Sequence, residues 1–188
     1  MKTALTSFAL ICIVQFTPLA QNSESIPVTL SSAVHIFSLK PPEGWFCETP
    51  TANKLPDFAT FYEKGKNFQS APAVIYVHCY SMNTTNPRSV DDFARADSAF
   101  YQEHYPEIKP VTERPIRINE NLTASCKVYN GKSAGSFDIY SYIDAGGAIV
   151  VCTLTAENGS GLEKGLRTLT ELVRSYQFIS KKQLPPKK

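Results

Sequence analysis

Apolar residues recur along this chain with two different periods. In "AVIYVHCY" they alternate, so Ile75, Val77 and Cys79 fall on one side of an extended segment and Tyr76, His78 and Tyr80 on the other. "LTASCKVY", "SFDIYSYI" and "AIVVCTL" repeat that alternation, and turn residues at Asn130-Gly131 and from Asp144 to Gly147 separate them. Three such segments joined by short turns predict an antiparallel meander. Earlier in the chain "VHIFSL", "WFCE", "DFATFYEK" and "PAVIYVHCY" are rich in β-branched and aromatic residues and predict four more strands. "KPVTERPIRI" is extended but broken by proline, which suits a sheet edge. The polar stretch from Thr49 to Pro56 is expected to be a loop.

Two segments carry the helical period instead. Val90, Phe93, Ala96, Phe100 and His104 are three or four residues apart and define one stripe, with Asp97 inside the same arc. Ser89 before the run and Asp92 three residues later resemble a capping box, and Pro106 stops the helix. A second helix is expected to open at Ser160 with Glu163 three residues on. Leu162, Leu166, Leu169, Val173 and Tyr176 form its apolar face. Each helix is one-sided and needs a sheet to lie on. The order of strands, helix, strands, helix, without repeats, predicts an α+β fold. It is a mostly antiparallel sheet flanked by two main helices, a helix–sheet–helix sandwich.

The N-terminus changes where such a protein is expected to work. Lys2, an apolar run from Phe8 to Val14 and "FTPLAQ" make a secretory signal peptide over residues 1–20, cleaved after Ala20 so that Gln21 leads the mature chain. The run is too short to stay in a bilayer as a spanning helix, and no other long apolar segment follows. Cys12 with bulky Ile11 before it is a poor lipid anchor. The expected organisation is a polar lead-in over 21–33, one domain over 34–180 and a disordered basic tail over 181–188. The expected location is periplasmic or extracellular. Of 19 basic residues one lies in the leader and four in the tail, which leaves a body of 14 basic and 17 acidic side chains. That body lacks the basic face of a nucleic-acid binder.

Four cysteines remain after cleavage: Cys47, Cys79, Cys126 and Cys152. An even count in an exported chain allows up to two disulfides, in three pairings. Three of the four also alternate in phase with apolar neighbours, as buried small hydrophobes would. No C-x-x-C pair offers a zinc or thioredoxin-type site.

Catalytic chemistry finds no local motif. His35, His78 and His104 lack metal spacing, no G-x-S-x-G occurs, and neither "AGG" nor "NGSG" has phosphate-loop spacing. No catalytic, cofactor or metal residue is therefore assigned. Sequons stand at Asn83, Asn121 and Asn158 and matter only in a eukaryotic secretory pathway. The strand face carrying Tyr76, His78 and Tyr80 is the candidate ligand site. Left open by the helices it is a groove for an apolar or peptide ligand, and covered it is core. Core is the expected outcome. Trp45, the only tryptophan, follows "KPPEG" and is expected to anchor a corner beneath one helix.

Three stretches resemble the PsbP-like family, which includes the photosystem II subunit PsbP, DcrB-like envelope proteins and a Ran-binding nuclear import factor. They are "FSLKPPEGW", "SVDDFARADSAF" and "LTELVRSYQF", and the likeness spans Val34 to Ile179. The resemblance implies a helix–sheet–helix sandwich and a non-enzymatic binding or accessory role. The function expected is that of an exported, non-catalytic envelope protein acting through protein contacts or a small apolar ligand. An enzyme of hydrolase type with an unrecognised site is the alternative.

Overall fold

The computed structural model describes residues 26–31, 34–49, 58–82, 89–108, 110–130, 136–157 and 161–182. The expected signal peptide, most of the expected tail, Ser160 and the sequons at Asn83 and Asn158 lie outside them. The strands are β1 (Val28–Ser31), β2 (His35–Leu39), β3 (Trp45–Glu48), β4 (Phe58–Glu63), β5 (Ala73–Ser81), β6 (Pro110–Glu113), β7 (Ile116–Arg117), β8 (Thr123–Asn130), β9 (Phe137–Asp144), β10 (Ala148–Ala156) and β11 (Gln177–Lys181). The helices are α1 (Val90–His104) and α2 (Leu162–Arg174). The fold is α+β, with a large antiparallel sheet ordered β3-β4-β5-β10-β9-β8-β6, and β7 also pairing with β8.

Alternation decides what each face of the large sheet meets. On one face Ile75, Val77, Ile139, Val150, Cys152 and Leu154 are buried with Leu166, Leu169, Leu172 and Val173 of α2. On the other, Tyr142, Ile149 and Val151 pack with Ala94 of α1. The helices thus lie on opposite faces, and the sandwich expected from the pattern is present.

A second sheet joins the α2 side. It is three-stranded, ordered β1-β2-β11, and sends Leu30, Phe37 and Leu39 into the same core. The segment expected to be a polar lead-in therefore holds a strand, because Leu30 pairs with Phe37 and is fully buried there. β11 likewise follows α2 directly, and Tyr176 between them is buried in the core rather than on the helix.

Helix α1 starts where the capping pattern puts it, with Ser89 Oγ accepting from Asp92 N–H at 3.1 Å. Its buried face differs from the apolar stripe. Ala94 and Tyr101 are buried, whereas Ala96, Phe100 and His104 are exposed. The arc through Phe93, Ala94, Asp97, Ser98 and Tyr101 faces the sheet instead. Helix α2 starts at Leu162 with Gly161 as N-cap and no side-chain cap.

The "KPPEGW" stretch is a corner tied to α2. Gly44 sits at φ 76, the left-handed region where a side chain is strained, and its carbonyl accepts from Lys64 N–H at 2.8 Å. Trp45 N–H closes the turn onto the Pro42 carbonyl at 3.0 Å. The Glu43 N–H donates to Glu171 Oε1 at 3.0 Å, and Lys40 N–H to Ser175 Oγ at 2.8 Å, so the corner grips the end of α2. Trp45 is only 6% exposed and belongs to the core cluster that contains Leu169, Leu172 and Val173.

The disulfides allowed by the cysteine count are not formed among the described residues. Cys152 lies opposite Ser141, and Ser141 opposite Cys126, so these two thiols stand two strands apart. That is about 9.6 Å of sheet, beyond the ~7 Å a disulfide can bridge. Cys79 pairs with Val150 and Cys152 with Val77, a diagonal offset of roughly 7–8 Å between backbones. Burial pushes the Cys152 thiol up to about 12 and the Cys126 thiol up to about 11, so both are inert small hydrophobes. Burial likewise pushes Cys47, at the sheet edge, up to about 12.

Candidate functional site

The α1 side of the large sheet is rich in aromatic side chains. Strand register sets the rows: Phe58 lies opposite His78, His78 opposite Val151, and Val151 opposite Tyr142. Helix α1 packs over β9 and β10, and among the described residues no helix lies over the β3–β4–β5 part of this face.

On that part Tyr76, His78 and Tyr80 stand together, as the alternation requires. They are not all core, which corrects the expected outcome: Tyr76 is half-buried, His78 is exposed and Tyr80 is 45% exposed. The physical reason is the path of α1, which packs over β9 and β10 and reaches β5 through the contact of Phe93 with Tyr80. The rings of His78 and Tyr80 belong to a continuous series. Phe58 stacks on His78 at 5.6 Å between centroids, His78 meets Tyr80 at 6.1 Å, and Tyr80 meets Phe93 of α1 at 5.0 Å. Phe68 meets Tyr76 edge-on at 6.0 Å, and Phe46 meets Tyr62 at 5.7 Å. Phe46 and Phe68 are 49% and 46% exposed. Burial raises the Tyr80 hydroxyl, with Asp97 adding to it, and burial then Asp138 raise that of Tyr76. Both therefore stay protonated donors at neutral pH. The surface offers apolar ring area with a few hydroxyl and imidazole groups at its rim, which suits an apolar or peptide ligand.

Among the described residues His78 and His104 meet aromatic rings. His78 contacts Phe58 and Tyr80, and His104 stacks on Phe100 while its Nδ1 meets the Phe100 carbonyl. Among the described residues no group of three His, Cys, Asp or Glu side chains is arranged to hold a metal. Two clefts, of about 510 and 470 Å³, flank Pro115 at the far sheet edge, away from the aromatic series. In the first Arg114 is paired with Glu163 at 3.4 Å, and in the second Arg95 is paired with Asp92 at 2.8 Å.

Pattern reading missed the polar layer beneath α1. Tyr142 donates to Asp97, Tyr101 to Asp138, and Ser98 Oγ and the Tyr129 hydroxyl lie 2.8 Å apart. Lys127 Nζ donates to Ser98 Oγ at 2.9 Å. The one sequence signal was Asp97, an acid inside the apolar arc.

This arrangement, a helix on each face of an antiparallel sheet, defines an α+β sandwich whose fold is PsbP-like. The solution structure of cyanobacterial PsbP (CyanoP) from Synechocystis sp. PCC 6803 is similar to it, with a TM-score of 0.50 and 10% identity over 76% of this chain and 86% of that one. A mutant of the protein Mog1 is similar with a TM-score of 0.50 and 11% identity, over 83% of this chain and 96% of that one. At these identities the likeness is one of fold. No family model and no curated protein matches the sequence. Among the described residues no helix is long and apolar enough to cross a membrane.

Proposed function

We propose that this chain is an exported, non-catalytic binding or accessory protein of the cell envelope, and that the open aromatic face is where it holds a protein segment or a small apolar ligand. The observation that carries the reading is the ring series Phe58–His78–Tyr80–Phe93, exposed at His78 and Tyr80 beyond the strands that α1 covers. Exposed connected aromatic area is costly in water and recurs at binding surfaces. The PsbP-like resemblance and the leader "MKTALTSFALICIVQFTPLA" support the accessory and exported parts of the reading.

An apolar fluorescent probe, 1-anilinonaphthalene-8-sulfonate, tests the site. Saturable binding to the folded chain, lost in the double variant His78→Glu/Tyr80→Glu at unchanged melting temperature, is expected. Binding that the double variant retains sinks the assignment. N-terminal sequencing of the protein from its native host tests export, with Gln21 expected first and a retained Met1 counting against it.

A further inference from the structure

We propose that the β11 edge is a docking surface for an anionic lipid bilayer. This surface belongs to the small sheet and is separate from the aromatic face. In a regular strand two consecutive side chains point to opposite faces, so one of an apolar pair is turned inward. β11 breaks that rule. Phe178 pairs with Phe37 and Ser180 with Ile36, which leaves Ile179 as an extra residue in a bulge. As a result Phe178 and Ile179 are both exposed, at 50% and 51%.

Two lysines follow directly. Lys181 and Lys182 are exposed, and neither ammonium is in an ion pair among the described residues. Lys187 and Lys188 follow in the sequence after Gln183, Leu184, Pro185 and Pro186. The nearby acid is Asp144, whose turn adjoins His35 through Ala145. Its carboxylate is folded back to accept from Gly146 N–H at 2.8 Å. The patch is two adjacent apolar side chains beside two lysines that form no ion pair among the described residues.

Size selects the occupant. A stable protein interface needs about 800 Å² from each partner, far more than two side chains supply. Reversible attachment to a bilayer needs only a small apolar insertion together with lysines facing anionic headgroups. The bulge places the insertion at the sheet edge, where it meets a flat surface without distorting the ladder.

Vesicle sedimentation of the purified chain tests this. It should pellet with phosphatidylcholine vesicles that contain phosphatidylglycerol, stay in solution with phosphatidylcholine alone, and be released as salt is raised. Lys181→Gln and Lys182→Gln should each weaken binding about fivefold, with the melting temperature unchanged. Phe178 also meets the His35 ring edge-on at 5.4 Å, so Ile179→Ser is the safer apolar variant, and it should weaken binding as well. Absence of pelleting, equal binding to neutral vesicles, or lysine variants that bind like the parent overturn the proposal. So does a concentration-dependent dimer abolished by Ile179→Ser without vesicle binding, which assigns the edge to a second copy of the chain.

Discussion

The Tyr142 hydroxyl donates to Asp97 Oδ2 across 2.7 Å, joining the middle of β9 to the inner face of α1. Tyr142 is fully buried, so this acid accepts from a hydroxyl that water cannot reach. Removing Asp97 strands that hydroxyl, and an unsatisfied buried donor costs about 1–3 kcal/mol. Asp97→Ala should therefore destabilise the fold by that amount in urea, with Asp97→Asn, which keeps an acceptor, losing less. An Asp97→Ala loss below ~0.5 kcal/mol would show that α1 is held by its apolar contacts alone.

The same layer makes stability sensitive to alkali. Burial first, then the neighbouring Asp97, raises the Tyr142 hydroxyl, and burial first, then Asp138, raises those of Tyr101 and Tyr140. A folded value above the unfolded one means the native state binds more protons. The stability these groups contribute is complete below about pH 10 and falls as pH rises through and beyond it. Tyrosinate absorbance should rise in two stages, first the exposed tyrosines and then a cooperative step that coincides with loss of circular dichroism. A single smooth titration with the fold intact would contradict the buried network.

Tyr176 presents the opposite case. Its ring packs on Phe37 at 5.7 Å between centroids, but its hydroxyl is buried without a hydrogen-bond partner among the described residues. Burial, followed by Cys79 and Asp144, pushes it up to about 12. Tyr176→Phe keeps the ring and removes the unsatisfied group, and should stabilise the protein by about 1 kcal/mol. Guanidinium melts of the two proteins check it, and a destabilised variant would reveal a partner for the hydroxyl.

How much of this was readable in the sequence follows the range of the interactions. Strand β5 was readable because "AVIYVHCY" alternates by itself, and α1 because Ser89 and Pro106 bracket it locally. β11 was not, since it is a short strand that exists by pairing with β2 far back along the chain, and β1 was not, since its four residues carry too short a pattern to stand out before they pair with β2. The inner face of α1 was misplaced for a related reason. Asp97 and Ser98 count as polar until Tyr142 and Tyr129 are seen to face them. The grouping of Tyr76, His78 and Tyr80 came from period two alone. Their exposure depends on where α1 crosses the sheet, and no local pattern encodes that crossing.

Gly165 shows how closely α2 approaches the sheet. A methyl group at this position would lie 2.7 Å from Cε2 and 2.8 Å from Cζ of Phe137, and 3.4 Å from Cδ2 of Leu154. On propensity alone Gly165→Ala would stabilise the helix by about 1 kcal/mol. Here the added carbon overlaps a ring that is itself buried in the core, and overpacking costs about 1–3 kcal/mol. The steric term should win, giving a net loss of about 1 kcal/mol. Phe137→Leu shortens the side chain that clashes, so Gly165→Ala should cost less in that background than in the parent. Chemical melts of the four proteins in the cycle measure the coupling directly. A stabilised Gly165→Ala in the parent background would mean that α2 can lift from β9 without loss, and that the close approach is not what holds the helix in place.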